Sequence, residues 1–289
     1  MSIKKWLYKN TASLDGKTVA ISGATGGIGR ELCRHLAYLG TSLVLLDRNM
    51  ERSHALAESL RSQFPSVEIS HIQVDMEDID TVRSAADKLS ALPIDYLLLN
   101  AGAYSIPRHK CSTGYDNVFQ INFVSPYYLT ARLLPQLQAR GGKVIAVGSI
   151  AHRYSKTDES DVDFSTRTKA SLVYGNAKRY LMFSLCELSD SNSVVIAHPG
   201  ITFTNITAHY PKLIFAIIKH PMKVIFMSPR KASLCILQGI FKSHGECEWI
   251  GPRFFDVWGY PCTKKLRSAD ATEIARIRQT AKDIYQKMD

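Results

Sequence analysis

The six cysteines of this chain, at 33, 111, 186, 235, 247 and 262, form no C-x-x-C pair and follow no regular spacing. A disulfide framework or a cysteine-based metal site is therefore not expected. No secretory apolar region opens the sequence, so free thiols in a reducing, cytoplasmic setting are the expectation. There is no Pro/Gly/Ser-rich linker and no internal repeat, which argues against two independent units. The formal charge of +10 invites a nucleic-acid reading. Yet no zinc-finger spacing, RNP-like aromatic motif or long basic run accompanies it, and the cations are spread out. Nucleic acid is not the expected partner; a solvated surface, or contact with an anionic membrane or acidic partner, fits better. No metal-ligand constellation is evident either.

What remains is ample for one large globular domain: 289 residues, 45% hydrophobic and 21% charged. Short apolar runs at 17–22, 42–47, 68–74, 95–100, 143–149 and 193–199 alternate with helical patterns near 28–39, 50–63, 78–90, 114–139 and 170–189. A further helix near 230–243 and a short strand at 248–251 would follow. Strands as uniformly apolar as "YLLLN" and "VVIA" suit a sheet covered on both faces. The expected class is thus α/β, a doubly wound parallel sheet in a single domain over 1–289, with its core at about 15–255. Two segments stand outside the alternation. Residues 203–227 mix apolar and basic residues and read as a lid-like insertion, too short in its apolar pieces to span a bilayer. Residues 268–288 read as a polar helical tail capped by Ser268.

The most specific local signal is "SGATGGIGR" at 22–30, directly after the first strand and leading into a helix. Gly23, Gly27 and Gly29 allow a tight turn and close approach of a pyrophosphate to the helix N-terminus. Glycine clusters also serve purely steric ends, but Asp47 closes the second strand 18 residues beyond Gly29, near the spacing at which a carboxylate meets an adenosine ribose. Dinucleotide binding follows.

The glycine spacing resembles that of the short-chain dehydrogenase/reductase family. Further matches come in order: Asp75 in "VDMED", "NAG" at 100–102, Asn122 in "QINFVSPYYLT", Ser149 in "VGSIAH", Tyr174 and Lys178 in "YGNAK", and "PGITFT" at 199–204. The resemblance covers about residues 15–255. It is most similar to the retinol dehydrogenase and WW-domain oxidoreductase branch, through "NFVSPYYLT", "GSIAH" and the 25-residue interval from Ser149 to Tyr174. It implies a Rossmann fold and a nicotinamide cofactor. Its binding residues would be Gly23, Thr25, Gly27, Ile28, Gly29, Asp47, Arg48, Asp75, Met76, Asn100, Ala101, Gly102, Tyr174, Lys178, Pro199, Gly200, Thr202 and Thr204. Ser22, Leu99 and Ser125 depart from the usual pattern without removing a reacting group. His198 reads as a strand-end residue.

Tyr174 and Lys178 sit one helical turn apart, an arrangement that a core tyrosine beside a solvated lysine would also give. The resemblance makes the pair catalytic, with Tyr174 as acid/base, Ser149 orienting the substrate oxygen and Asn122 helping to hold a water-linked proton relay. A free phenol is a weak base near neutral pH, and the Lys178 cation is expected to lower its pKa. The implied reaction is hydride exchange between a nicotinamide dinucleotide and an alcohol or carbonyl compound, bulky and apolar if residues 203–227 cover it. A dinucleotide-sensing binding protein without turnover is the rival reading. Asp47 points to NAD, while Arg48 argues for NADP; with Gly26 in the loop, no second cation is expected to join Arg48. Family members commonly form homodimers or homotetramers through helices near 114–139 and 170–189. Peripheral membrane contact through the basic apolar segment is the remaining partner expectation.

Overall fold

The computed structural model describes residues 1–186, 188, 193–202, 226–242 and 248–288. The expected alternation is present. Strands β1 (Thr18–Ser22), β2 (Ser42–Asp47), β3 (Ile69–Gln73), β4 (Tyr96–Leu99), β5 (Lys143–Val147), β6 (Val194–Ala197), β7 (Glu248–Phe254) and β8 (Trp258–Lys265) form one sheet in the order β3-β2-β1-β4-β5-β6-β7-β8. The first seven run parallel, and β8 returns antiparallel to β7. This is a single α/β domain of the doubly wound type, and the strand order reverses between β1 and β4. There the two halves part and leave a crevice at the carboxyl ends of the strands.

Both faces of the sheet are covered, which is why its strands are apolar along their length. On one face α1 (Ile3–Asn10), α2 (Gly27–Tyr38), α3 (Met50–Gln63) and α7 (Pro229–Phe241) bury residues such as Trp6, Leu32, Leu60 and Leu237. On the other lie α4 (Ile79–Ser90), α5 (Ser125–Ala139), α6 (Ala170–Leu185) and α8 (Ala271–Met288), burying Val82, Leu133, Phe183 and Ile277. Helix α5 is entered through one turn at Asn117–Phe119 and a π-helical stretch, Gln120–Val124.

Three features differ from the sequence reading. Helix α1 was not expected: Ser2 caps it by accepting from Lys5 N at 3.2 Å, and Trp6 and Leu7 anchor it. Strand β8 was not expected either, because its Gly, Pro and lysine content fits an edge rather than a buried strand. The C-terminal helix begins after Asp270, not Ser268. The Asp270 carboxylate accepts from Glu273 N at 2.9 Å, and Ile277, Ala281, Ile284 and Met288 are buried. That helix packs on α5 and α6, the surface by which the resemblance implied pairing. The lid expected at 203–227 lies outside the described residues, except for Phe226 and Met227, and so does Thr204.

Candidate active site

Strand β1 ends in the glycine loop because two of its glycines have no alternative. Gly23 has φ +66°, and a Cβ there would stand 2.9 Å from Ala101 Cα; at Gly29 it would stand 2.2 Å from the Gly23 carbonyl oxygen. The loop therefore hugs the end of β4 and delivers the free N–H groups of α2 to an open cleft of about 440 Å³. Twelve of the expected binding residues line it: Gly23, Thr25, Gly27, Ile28 and Gly29 from the loop, Asp47 and Arg48 from the end of β2, Asp75 and Met76 beyond β3, and Asn100, Ala101 and Gly102 beyond β4. The Ser22 hydroxyl braces this edge by accepting from Asn100 N and Ala101 N, each at 3.1 Å. Asn100 Nδ2 in turn donates to the Ser22 and Gly23 carbonyls. Ser125 also has a task, donating to the Met76 carbonyl at 2.7 Å. Leu99, where the pattern has a polar residue, is simply core.

Asp47 is 3% exposed and fully engaged. Its Oδ1 accepts from Thr25 N at 3.1 Å and Thr25 Oγ1 at 3.0 Å, and its Oδ2 accepts from Ser53 Oγ at 3.0 Å. Ser53 Oγ lies 2.9 Å from His71 Nδ1. Since the single serine proton goes to the carboxylate, His71 is the donor in that contact. The carboxylate thus holds the glycine loop as well as facing the cleft. The expectation that Arg48 is the lone cation here needs correction, because Arg52, one turn into α3, lines the same cleft. Spacing along α3 was the available signal. Arg48 is largely exposed, with Nη1 3.6 Å from Asp75 Oδ2. Three carboxylates, Asp47, Asp75 and Glu77, face two guanidinium groups in this part of the cleft.

At the far end, the remaining groups converge from three elements. Ser149 follows β5 and caps a 3₁₀ turn, Ile150–Arg153, by accepting from Ala151 N at 3.2 Å. Tyr174 and Lys178 project from α6. The Tyr174 hydroxyl shares a hydrogen bond with the Ser149 side chain, and its ring meets Tyr104 edge-on at 5.3 Å. Lys178 is 2% exposed; its Nζ donates to the Val147 carbonyl at 2.8 Å and lies 5.7 Å from the Tyr174 ring centroid. Asn122 sits in the π-helical stretch, a distortion frequent at functional sites. Its Nδ2 donates to the Ala103 and Val118 carbonyls, both at 2.8 Å, and its Oδ1 accepts from Ala103 N at 3.3 Å. A Cβ on Gly102 would stand 2.9 Å from Asn122 Oδ1 and 3.7 Å from Lys178 Nζ, so the cleft floor passes close to these two side chains, although Asn122, Ser149, Tyr174 and Lys178 do not themselves line it. Pro199, Gly200 and Thr202 follow β6, and Gly200 (φ +81°) packs against Met227, Pro252 and Val257.

Electrostatics within this group differ from the expected pattern. Burial pushes Tyr174 up to about 12, although the Ser149 hydrogen bond pulls the other way. Burial also pushes Lys178 down to about 7. Burial therefore sets the direction of both shifts. Val118, Phe164 and Val173 form a small buried apolar cluster against which Ile106, Leu172 and Tyr174 pack. His198 is a buried strand-end residue whose Nε2 lies 2.9 Å from the Asp256 carbonyl oxygen.

A family model described as short chain dehydrogenase matches residues 17–160. Curated relatives include short chain dehydrogenase rstn4 of Aspergillus nomiae, 34% identical over 67% of this chain and 61% of its own length. Polyprenol dehydrogenase of Mus musculus is 26% identical over 83% of this chain and 75% of its own. Retinol dehydrogenase 13 of Homo sapiens is 29% identical over 68% and 62%. The chain thus spans about three fifths of the length of two of these relatives. Among solved structures, a putative uncharacterized protein from Mycobacterium paratuberculosis superposes with TM-score 0.74 at 21% identity, over 96% of both chains. A short-chain dehydrogenase from Sphingobium yanoikuyae, solved with NADPH, gives 0.54 at 24% identity over 66% of this chain and 73% of its own.

Proposed function

This chain belongs to the short-chain dehydrogenase/reductase family, on its retinol dehydrogenase branch, and from that premise we propose an oxidoreductase that interconverts a bulky apolar alcohol and its carbonyl compound. The observation that carries the reading is the continuity of the cleft. It runs from the N-terminus of α2 to Gly102 and Ala103, beside which Asn122 and Lys178 lie. A bound nicotinamide dinucleotide supplies the hydride acceptor or donor, held by the glycine loop, Asp47, Asn100–Gly102, Lys178 and the 199–202 segment. Tyr174 exchanges the hydroxyl proton, Ser149 orients the substrate oxygen, and Asn122 positions the Gly102–Ala103 turn against Lys178. The Lys178 ammonium stabilises a developing phenolate that burial alone disfavours.

Relatives named for polyprenol and retinol support an apolar alcohol as the substrate class. For the cofactor, the surplus of carboxylates favours NAD, since a 2′-phosphate would add like charge near Asp47. The test is oxidation of a panel of long-chain and cyclic alcohols with NAD or NADP, followed by absorbance of the reduced nicotinamide. Turnover with apolar alcohols and NAD is expected. Tight dinucleotide binding without turnover of any alcohol or carbonyl compound would favour the sensor reading instead.

A further inference from the structure

One surface away from the cleft carries a concentration of charge and aromatic rings that the proposed reaction does not use. Helix α1 turns Trp6 and Leu7 inward and leaves Lys4, Lys5, Tyr8 and Lys9 exposed. It is tied to the β7–β8 hairpin: Trp6 stacks on Tyr260 at 6.4 Å, and the Tyr260 hydroxyl donates to the Met1 carbonyl. Lys231, at the start of α7, lies over the hairpin, with Nζ 3.9 Å from the Trp258 ring centroid and 4.9 Å from that of Tyr260.

The hairpin tip is built to present apolar rings. Phe254 is 51% exposed, Phe255 89% and Trp258 45%, large groups that a solvated turn does not need. Phe255 (φ +53°) and Asp256 (φ +59°) both occupy the left-handed region, disfavoured for such residues. The turn is held there from beneath: the buried Asp256 carboxylate takes Lys264 at 2.5 Å and Arg153 at 3.2 Å. Its charge is thereby spent inside, and Phe255 is left pointing outward.

Segments 1–14, 226–242 and 252–265 together hold nine lysines and arginines and a single carboxylate, Asp256. Much of the chain's net +10 is therefore concentrated in segments that pack on one another. Cations around exposed Phe and Trp side chains are the complement of an anionic lipid surface, in which rings enter the headgroup layer and lysines stay with the phosphates. We propose that α1 and the β7–β8 tip form a docking face for an anionic phospholipid bilayer. The tip abuts the segment following β6, since a Cβ on Gly200 would stand 2.8 Å from both Pro252 Cγ and the Val257 carbonyl oxygen. Docking would therefore set the nicotinamide end of the site at the bilayer, where an apolar alcohol partitions. That consequence rests on the proposed reaction; the docking face does not.

Sedimentation of the full chain with vesicles tests it. Binding is expected to vesicles of phosphatidylcholine and phosphatidylglycerol in equal parts, to weaken with added salt, and to be absent from pure phosphatidylcholine. Replacing Lys4 and Lys5 together by Gln should lower the partition coefficient about twenty-fivefold, at about fivefold per cation. Phe255→Ser should lower it about tenfold. All three positions are exposed, so unfolding temperature and dinucleotide binding should stay unchanged. Trp6 and Trp249 are buried, so a blue shift of tryptophan fluorescence on vesicle addition reports Trp258. Absence of binding to anionic vesicles, equal binding by the variants, or tighter binding of a single-stranded oligonucleotide would overturn the proposal. None of these readouts involves turnover, so the catalytic reading and the docking face can fail separately.

Discussion

Arg179 and Glu273 form a buried bidentate ion pair, with Nε–Oε1 at 2.7 Å and Nη2–Oε2 at 2.5 Å, that joins the helix bearing Tyr174 to the C-terminal helix. Arg179 also donates to the His152 and Ser268 carbonyls, and Glu273 accepts from Thr157 N and Oγ1. The pair therefore anchors the loop after Ser149 as well. Glu273→Ala leaves a guanidinium buried without its partner, and a loss of about 3–5 kcal/mol is expected. Replacing both residues by Leu should cost less than that single change. Denaturant titrations of the parent chain and both variants check this; equal losses would mean the pair is not coupled.

Glu273 also sets an acid limit. Its hydrogen bonds with Arg179 and Thr157 hold the carboxyl at about 2, below its ordinary 4.5 despite burial. The folded pKa is depressed, so the contribution is complete above about 4.5 and disappears as pH falls toward 2. Glu273→Gln should flatten the stability profile in that window, read as unfolding midpoint against pH. A slope there as steep as that of the parent chain would contradict the assignment.

His152 and His198 act in a higher window. Burial lowers both to about 4, so each is neutral in the fold. Below pH 6.5 the unfolded chain takes up these protons first, and stability should fall between pH 6.5 and 4. His152→Phe should remove part of that slope, the ring standing beside Phe183 and Trp249. An unfolding temperature that does not change between pH 7 and 5 would count against buried neutral histidines.

The partial cover of α5 and α6 by α8 predicts a monomer, in place of the family's usual helix-to-helix pairing. Tyr128 already meets Tyr285 across that contact at 5.4 Å. Sedimentation velocity of the full chain should give a single species near 32.3 kDa. A dimer would show that pairing uses another surface.

Cofactor choice depends on Asp47. Asp47→Ser removes the buried charge that a 2′-phosphate would meet while Arg48 and Arg52 stay in the cleft, so the ratio of NADP to NAD affinity should rise at least about tenfold. Because Thr25 loses its anchor, NAD should also bind more weakly. Dissociation constants for both cofactors decide it, and tighter NADP binding by the parent chain would reverse the proposed preference.

The parts of this molecule that could be read from sequence are those where chemistry restricts residue choice. Gly23 and Gly29 leave no room for a side chain, and the buried parallel strands require apolar runs. The cleft-lining residues accordingly stood where the motifs placed them. Other features depend on contacts between distant segments. Strand β8 has polar edge chemistry, α1 is short and basic, and Arg52 enters the cleft only through the turn of α3. Spacing shows the cation near Tyr174 but not the depth of burial that raises its pKa. The helix cap at Asp270 was displaced by two residues, an ordinary error where several capping residues lie together.

The central claim, that Tyr174 moves the proton of the reacting hydroxyl, is tested most directly by Tyr174→Phe. Steady-state turnover of an apolar alcohol should be measured beside a dinucleotide titration of the same preparation. The phenol oxygen is lost while the ring keeps its contact with Tyr104. Turnover should fall by at least about a hundredfold, with dinucleotide affinity within a few-fold of the parent. Turnover close to that of the parent chain would contradict the account.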